Sequence, residues 1–556
     1  MDSNPTSTRG NRVLRFAAGL IAACALIAAI VLSWPSDGEP TEQAPPSATV
    51  EDTSRADPAN SVADSAADTA FADTATSHTA EPVDGSEEPS PPPASTPAPA
   101  ERDCSPRIPE DFRLTETSPG PASVEVSQAA FECAHEVGLA FATNPPAITT
   151  MAASGIRGPL LLVGGWFDDR LITELHRLAP ERIVAAGFDE GILRDALAGF
   201  TVEPMAVDWE AAFPSYPTAP DRVWLVDPAK TPASLMALGI QIGVGVVAVE
   251  GDIRALPAYA REMIASATRV DLLSDFEEDA AWQLEVVRRN DEIPGGGLIM
   301  FGEGDGRRLV AVYGHPVTSA LGVLGEQGPE EGVDRLRSIM EGYGADGLSV
   351  VPTFEIIATV ASAGAGGDGD YSSETARDVI RPWIEIAAAN DVYVVLDLQP
   401  GRTDFLTQAK IYEEFLRLPH VGLALDPEWR LKPDQVHLRQ IGTVDAAEIN
   451  RVVEWLAAIV REEALPQKLF IVHQFRFSMI TNRSLIETPP ELAVLIQMDG
   501  QGSLEAKYST WNALTREPDA GRLWWGWKNF YDEDSPTATP DQVLELTPLP
   551  VFVSFQ

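Results

Sequence analysis

Val421-Gly422-Leu423-Ala424-Leu425-Asp426-Pro427-Glu428-Trp429 decides the fold class of the C-terminal half. Five apolar residues are followed at once by acids and a proline. A run this short, apolar on both faces, predicts a buried strand of a parallel sheet. Pro427 cannot donate to a ladder, so it marks the strand's end. Seven further runs follow the same pattern, at residues 309–313, 347–352, 392–396, 468–472, 492–496, 522–525 and 550–555. Amphipathic segments lie between them at 332–342, 375–389, 404–417, 446–463 and 504–515. Eight strand units in about 250 residues predict an α/β fold of the (β/α)8 barrel type over residues 308–556. A doubly wound sheet is the alternative.

The ends of these runs carry the chemistry. They bring His315, Glu355, Asp397 with Gln399, Asp426 with Glu428, His473 with Gln474 and Arg476, Gln497 with Asp499, and Trp527 with Lys528. In a parallel barrel all of these share the C-terminal face, where barrel enzymes keep their sites. Clustered carboxylates repel one another and lose hydration, so stability alone is a poor reason for the pattern. Residues two apart on a strand face the same way, with Cα atoms about 7 Å apart. Asp426 and Glu428 are therefore expected to project together. Two such carboxyl groups can split their pKa values into a proton donor and an ionised partner, the equipment for cleaving a glycosidic bond.

The Asp-x-Glu pair on strand four resembles that of family 18 chitinases and family 25 lysozyme-type muramidases. That resemblance implies Glu428 as general acid and Asp426 as the partner that orients the substrate. Gly422 matches the chitinase run, whose two further aspartates fall here at Val421 and Ala424. Asp397 is a further candidate catalytic carboxylate. His315, Glu355, His473, Gln497, Asp499, Trp527 and Lys528 are candidates for holding the substrate, Trp527 by offering a flat face to a sugar ring. The same His and carboxylate groups could instead hold a metal. No His-x-His or His-Glu-x-x-His spacing occurs, so the expected cofactor is none. A metal-dependent hydrolase and a barrel that binds glycan without cleaving it stand as alternatives.

Upstream, the chain changes character three times. Residues 1–15 carry a local charge of +2, and residues 16–34 carry none. Nineteen uncharged residues make a helix about 28 Å long, near the roughly 30 Å of a bilayer core. The basic flank predicts a single-pass anchor in the cytoplasmic membrane, N-terminus inside and the rest outside. Lipidation at Cys24 and cleavage as a signal peptide compete with that reading. Residues 35–103 hold 15 acids against two arginines and almost no large apolar side chain, which predicts a disordered acidic linker. Across all 556 residues, 40 basic side chains face 83 acidic ones, for a net charge of −43. A phosphate backbone needs a basic footprint, so nucleic acid is excluded as a partner.

Residues 104–300 read as a repeated parallel α/β module. Strands are expected at 147–153, 159–164, 182–187, 222–226, 242–249 and 269–273, and helices at 124–140, 169–178 and 255–266. Ala152-Ala153-Ser154-Gly155, Gly158-Pro159-Leu160-Leu161-Leu162-Val163 and Pro180-Glu181-Arg182-Ile183-Val184 resemble the bacterial cell-wall-binding repeat 2 family, over about residues 120–285. The resemblance implies non-covalent attachment to a cell-wall polymer. Two units are visible where that family usually carries three. Cys104 and Cys133 are expected to pair outside the cell, with two free thiols as the alternative. The resulting expectation is a membrane-anchored bacterial surface protein whose partner is a cell-wall polymer or other glycan.

Overall fold

The computed structural model describes residues 102–556, apart from 117, 212–219, 228–232, 274–275, 277 and 303–305. The expected cytoplasmic N-terminus, the membrane anchor and the linker to residue 101 lie outside the described residues. Among those described, no helix is long and apolar enough to cross a membrane.

The module begins with a helix, α1 (Pro119–Ala130), and a strand, β1 (Glu136–Phe141). Sequence periodicity suggested one helix over 124–140. The helix instead stops at Phe131, and the Cys104–Cys133 disulfide ties the next turn to the start of the folded chain. Val137, Gly138, Leu139 and Ala140 are buried in the strand that follows. The expected strand at 147–153 is a helix, α2 (Pro145–Ala153). The Asn144 side chain caps it by accepting from the Ala147 N–H at 3.3 Å, and Pro145 and Pro146 occupy its first turn. These start signals outweigh the β-branched Ile148, Thr149 and Thr150.

Three more parallel strands, β2 (Leu160–Val163), β3 (Arg182–Ala186) and β4 (Val202–Met205), join β1 in the order β2-β1-β3-β4. Gly158, in the motif that resembles the cell-wall-binding repeats, turns against this sheet. A Cβ there would lie 1.8 Å from the Glu136 carbonyl oxygen, so only glycine fits. A second parallel sheet holds β5 (Arg222–Val226), β6 (Gly245–Ala248) and β7 (Arg269–Leu272), in the order β6-β5-β7.

The C-terminal half closes into a barrel. Its parallel strands are β8 (Arg307–Gly314), β9 (Ser349–Ala361), β11 (Tyr393–Leu398), β12 (Val421–Leu425), β14 (Lys468–His473), β16 (Leu492–Met498), β17 (Trp524–Asn529) and β18 (Phe552–Phe555). Pairing of β18 with β8, and of β8 with β9, closes the ring. A short β10 (Ser372–Glu374) adds antiparallel to the extended end of β9, and β13 (Val444–Asp445) pairs with β15 (Ile480–Thr481) outside the ring. The strand expected at 347–352 runs on through Pro352 to Ala361, so Glu355 sits within β9 rather than beyond its end.

Period-two alternation sorts the side chains. Val310, Leu396, Leu423, Phe470 and Val494 face outward into one core with the surrounding helices, such as Arg377–Ala389 and Ala446–Glu462. Leu309, Ala311, Val395, Ala424, Ile471 and Leu495 face inward and form a separate core inside the barrel. Ile293, Met300 and Phe301, from the segment entering the barrel, join that inner core beside residues at the strand starts. They plug the N-terminal end.

The module is fixed to this same end. Trp282, on the helix Ala280–Arg289, lies between the guanidinium groups of Arg254 and Arg461, at 4.5 and 4.6 Å from the ring centre. Backbone bonds continue the joint, with Gln467 N–H donating to Leu298 O at 2.9 Å.

The disulfide closes a loop with a sequence separation of 29. Chain entropy then gives it about 3–4 kcal/mol of stabilisation. Replacing both Cys104 and Cys133 by Ser should lower the module's unfolding free energy by about that amount in a urea titration, and added reductant should then have no further effect.

Candidate active site

The inward-facing positions become polar one layer above the apolar core. Tyr313, Glu355, Asp397, Asp426, His473, Gln497, Lys528 and Ser554 follow Ala311, Thr353, Val395, Ala424, Ile471, Leu495, Gly526 and Phe552, each two residues further along its strand. Every member of this ring is buried. The barrel geometry thus forces six titratable groups, Tyr313, Glu355, Asp397, Asp426, His473 and Lys528, into one desolvated space.

His473 is the hub. Its Nδ1 lies 3.0 Å from Asp499 Oδ2, and its Nε2 lies 3.3 Å from Glu355 Oε1 and 3.7 Å from Asp397 Oδ1. Burial alone would lower the imidazole's pKa, but these three carboxylates outweigh it and hold His473 well above its ordinary value. Tyr313 Oη donates to Asp397 Oδ2 at 2.8 Å and accepts from Gln399 Nε2 at 3.3 Å. Lys528 Nζ lies over the Tyr313 ring, 3.3 Å from its centre. Gln497 Nε2 donates to Ser554 Oγ at 2.6 Å.

Burial pushes Asp397 up to about 6 against the pull of His473, and Glu355 adds to the rise. Burial also carries Asp426 well above the carboxylate range, reinforced by Glu428. Glu428 itself is pushed up to about 8, first by burial and then by Asp499. Five carboxyl groups, Glu355, Asp397, Asp426, Glu428 and Asp499, share this space with two cationic side chains, His473 and Lys528.

A cavity of about 350 Å³ opens above the ring, with Tyr313, Asp426, Glu428, Asp499 and Lys528 in its wall. Trp429, Phe475 and Phe530 supply its aromatic surface. Asp426 and Glu428 reach it by a different route from the one the sequence suggested. The strand ends at Leu425, and Pro427–Trp429 is a 3-10 turn, so the two carboxyls project from a turn. Gly442 holds this turn in place. Its N–H donates to Glu428 O at 2.7 Å, and a Cβ there would lie 2.4 Å from Pro427 O.

Several candidates stand elsewhere. Asp397, Glu355, His473 and Gln497 form the floor beneath the cavity and do not line it. His315 is off the cavity, with Nε2 3.0 Å from Thr375 Oγ1. Trp527 is not a sugar platform. Alternation turns Gly526 and Lys528 inward and sends Trp525 and Trp527 out beneath the helix Leu504–Thr515. Trp527 is fully buried there, 5.8 Å from Trp511, and its Nε1–H donates to Asn529 Oδ1 at 2.9 Å. Tyr313 was missed, because it read as the last apolar residue of its run. The spacing Leu309, Ala311, Tyr313 was the available signal.

Asp426, His473 and Asp499 could hold a metal ion, since each offers a ligand atom within 4.8 Å of the others.

No protein-family model matches the chain, and no curated protein matches it. Among solved structures, Cwp6 from Clostridium difficile aligns at 12% identity and a TM-score of 0.16, over 65% of this chain and 62% of that one. The match thus spans less than two thirds of the length of Cwp6.

Burial of Trp527 makes a direct prediction. Trp527→Ala should cost about 3–5 kcal/mol of barrel stability in denaturant unfolding. A tryptophan serving only to stack sugar would lower glycan affinity and leave stability nearly unchanged.

Proposed function

We propose that the barrel is a glycoside hydrolase acting on a cell-wall or other extracellular glycan. The observation that carries this reading is that Glu428 and Asp426, on one turn at the end of β12, open into the same cavity. In this reading Glu428 protonates the leaving oxygen and Asp426 orients the sugar. The cavity's volume falls within the roughly 300–1,000 Å³ of small-molecule sites. Trp429 and Phe475 offer apolar faces for sugar rings, and Lys528 and Arg476 offer cationic hydrogen-bond donors.

The module's motif and the apolar N-terminal stretch complete the proposal. They would place the barrel at the cell surface, anchored in the membrane by residues 16–34 and held to a wall polymer by residues 104–300. The module seals the end of the barrel opposite the cavity, so attachment and turnover would not compete for space.

Glu428→Gln keeps the shape of the turn and removes the acid. Release of reducing ends from peptidoglycan and from neutral wall polysaccharides should fall by at least about 100-fold. Retention of the same glycans by the variant should stay within about threefold of wild type. Unchanged turnover on a glycan that the wild type cleaves would rule out Glu428 as the acid.

A further inference from the structure

We propose that Asp426, Asp499 and His473 form a binding site for a divalent transition-metal cation at the floor of the cavity. Asp426 and Asp499 each bring a buried carboxylate oxygen, Oδ1, that has no hydrogen-bond partner among the described residues, and His473 brings its Nδ1, the ring nitrogen turned towards Asp499. A buried carboxylate oxygen left this way has given up much of its hydration, and a bound cation restores a partner to it. One ligand atom from each residue lies within 4.8 Å of the others, a spread that a single ion at about 2.0–2.4 Å from each can span.

The surroundings suit a cation in two further ways. Glu355 Oε2 and Asp397 Oδ1 are further buried carboxylate oxygens without a hydrogen-bond partner among the described residues, so oxygen ligands crowd the same space. Glu355 Oε1 stands 3.3 Å from His473 Nε2, the nitrogen turned away from Asp499, and so fixes the ring. A carboxylate holding one imidazole nitrogen is the usual support for a metal-binding histidine. Two carboxylates and one imidazole select Mn²⁺ or Zn²⁺ over Ca²⁺, which takes oxygen ligands alone. Asp426 and Asp499 line the cavity, so the ion's remaining positions would face it, open to a water or to sugar hydroxyls.

This site does not depend on the glycosidase reading, and its test measures metal rather than turnover. The full chain, stripped with chelator, is titrated with ZnCl2 and MnCl2 by calorimetry, and the metal retained after gel filtration is counted by mass spectrometry. One ion per chain is expected, with a rise in melting temperature of about 5 °C at saturation. Asp426→Asn and Asp499→Asn should each weaken binding by at least about 100-fold, while CaCl2 gives no comparable heat. A separate acidic group, Asp368, Asp370 and Glu374, lies outside the barrel ring, and the two variants leave it intact. Wild-type protein that takes up neither metal overturns the proposal, and so does uptake that persists undiminished in both variants. His473 would then be an imidazolium that balances the carboxylates around it. Either result leaves the Glu428→Gln experiment free to succeed or fail on its own.

Discussion

Closure of the parallel sheet is the constraint on which the rest of the structure depends. Once β8 pairs with both β18 and β9, every second residue of each strand must point into one shared volume. The lower part of that volume is filled by Leu309, Tyr393, Leu469 and their neighbours, which exclude water. The upper part receives Glu355, Asp397, Asp426 and His473, which have nowhere else to go. Desolvated carboxylates at this spacing resist ionisation. The upward shifts of Asp397, Asp426 and Glu428 are the chemical consequence of a topological fact. A site of this kind is costly to build, and the two apolar cores on either side of the strands supply the stability that tolerates it.

The two ends of the barrel have separate duties. The N-terminal end is sealed by Ile293, Met300 and Phe301 and joined to the module through Trp282 between two arginines. The C-terminal end carries the titratable ring and the cavity. Stability and chemistry are thereby kept apart along the barrel axis, and the loops around the cavity can vary without loosening the joint.

Much of the barrel was legible in the sequence because buried parallel strands are short apolar runs. Val421–Leu425 could be read to the residue, and the polar groups after each run gave most of the upper ring. What was hidden had a physical cause in each case. Tyr313 is apolar in composition but polar at one atom, so hydropathy counts it with the core while its hydroxyl belongs to the site. Trp527 ends its run like the acids do, yet its facing is set by the register of β17. Only the inward position of Lys528 reveals that register. His315 follows Gly314 and turns off the axis to Thr375, a course set by backbone conformation rather than composition. In the module, Pro145–Ala153 reads as a strand by its β-branched residues and is a helix by its cap, because a satisfied helix start is worth more than the propensity of three residues.

The chain's charge bears on what the cavity can receive. Net charge is −43 over the whole sequence, and residues 104–556 still carry −32. Such a field repels a polyanion before any contact is made and raises the local concentration of cations. It sets no barrier to a neutral sugar chain. Lys528 and Arg476 give the cavity wall cationic donors, but Asp426, Glu428, Asp499 and Glu533 stand in the same wall. A polyanionic glycan therefore fits the barrel poorly. A neutral or amino-bearing glycan meets no such penalty at the barrel, and the field that excludes the polyanion also favours a cation at Asp426, Asp499 and His473.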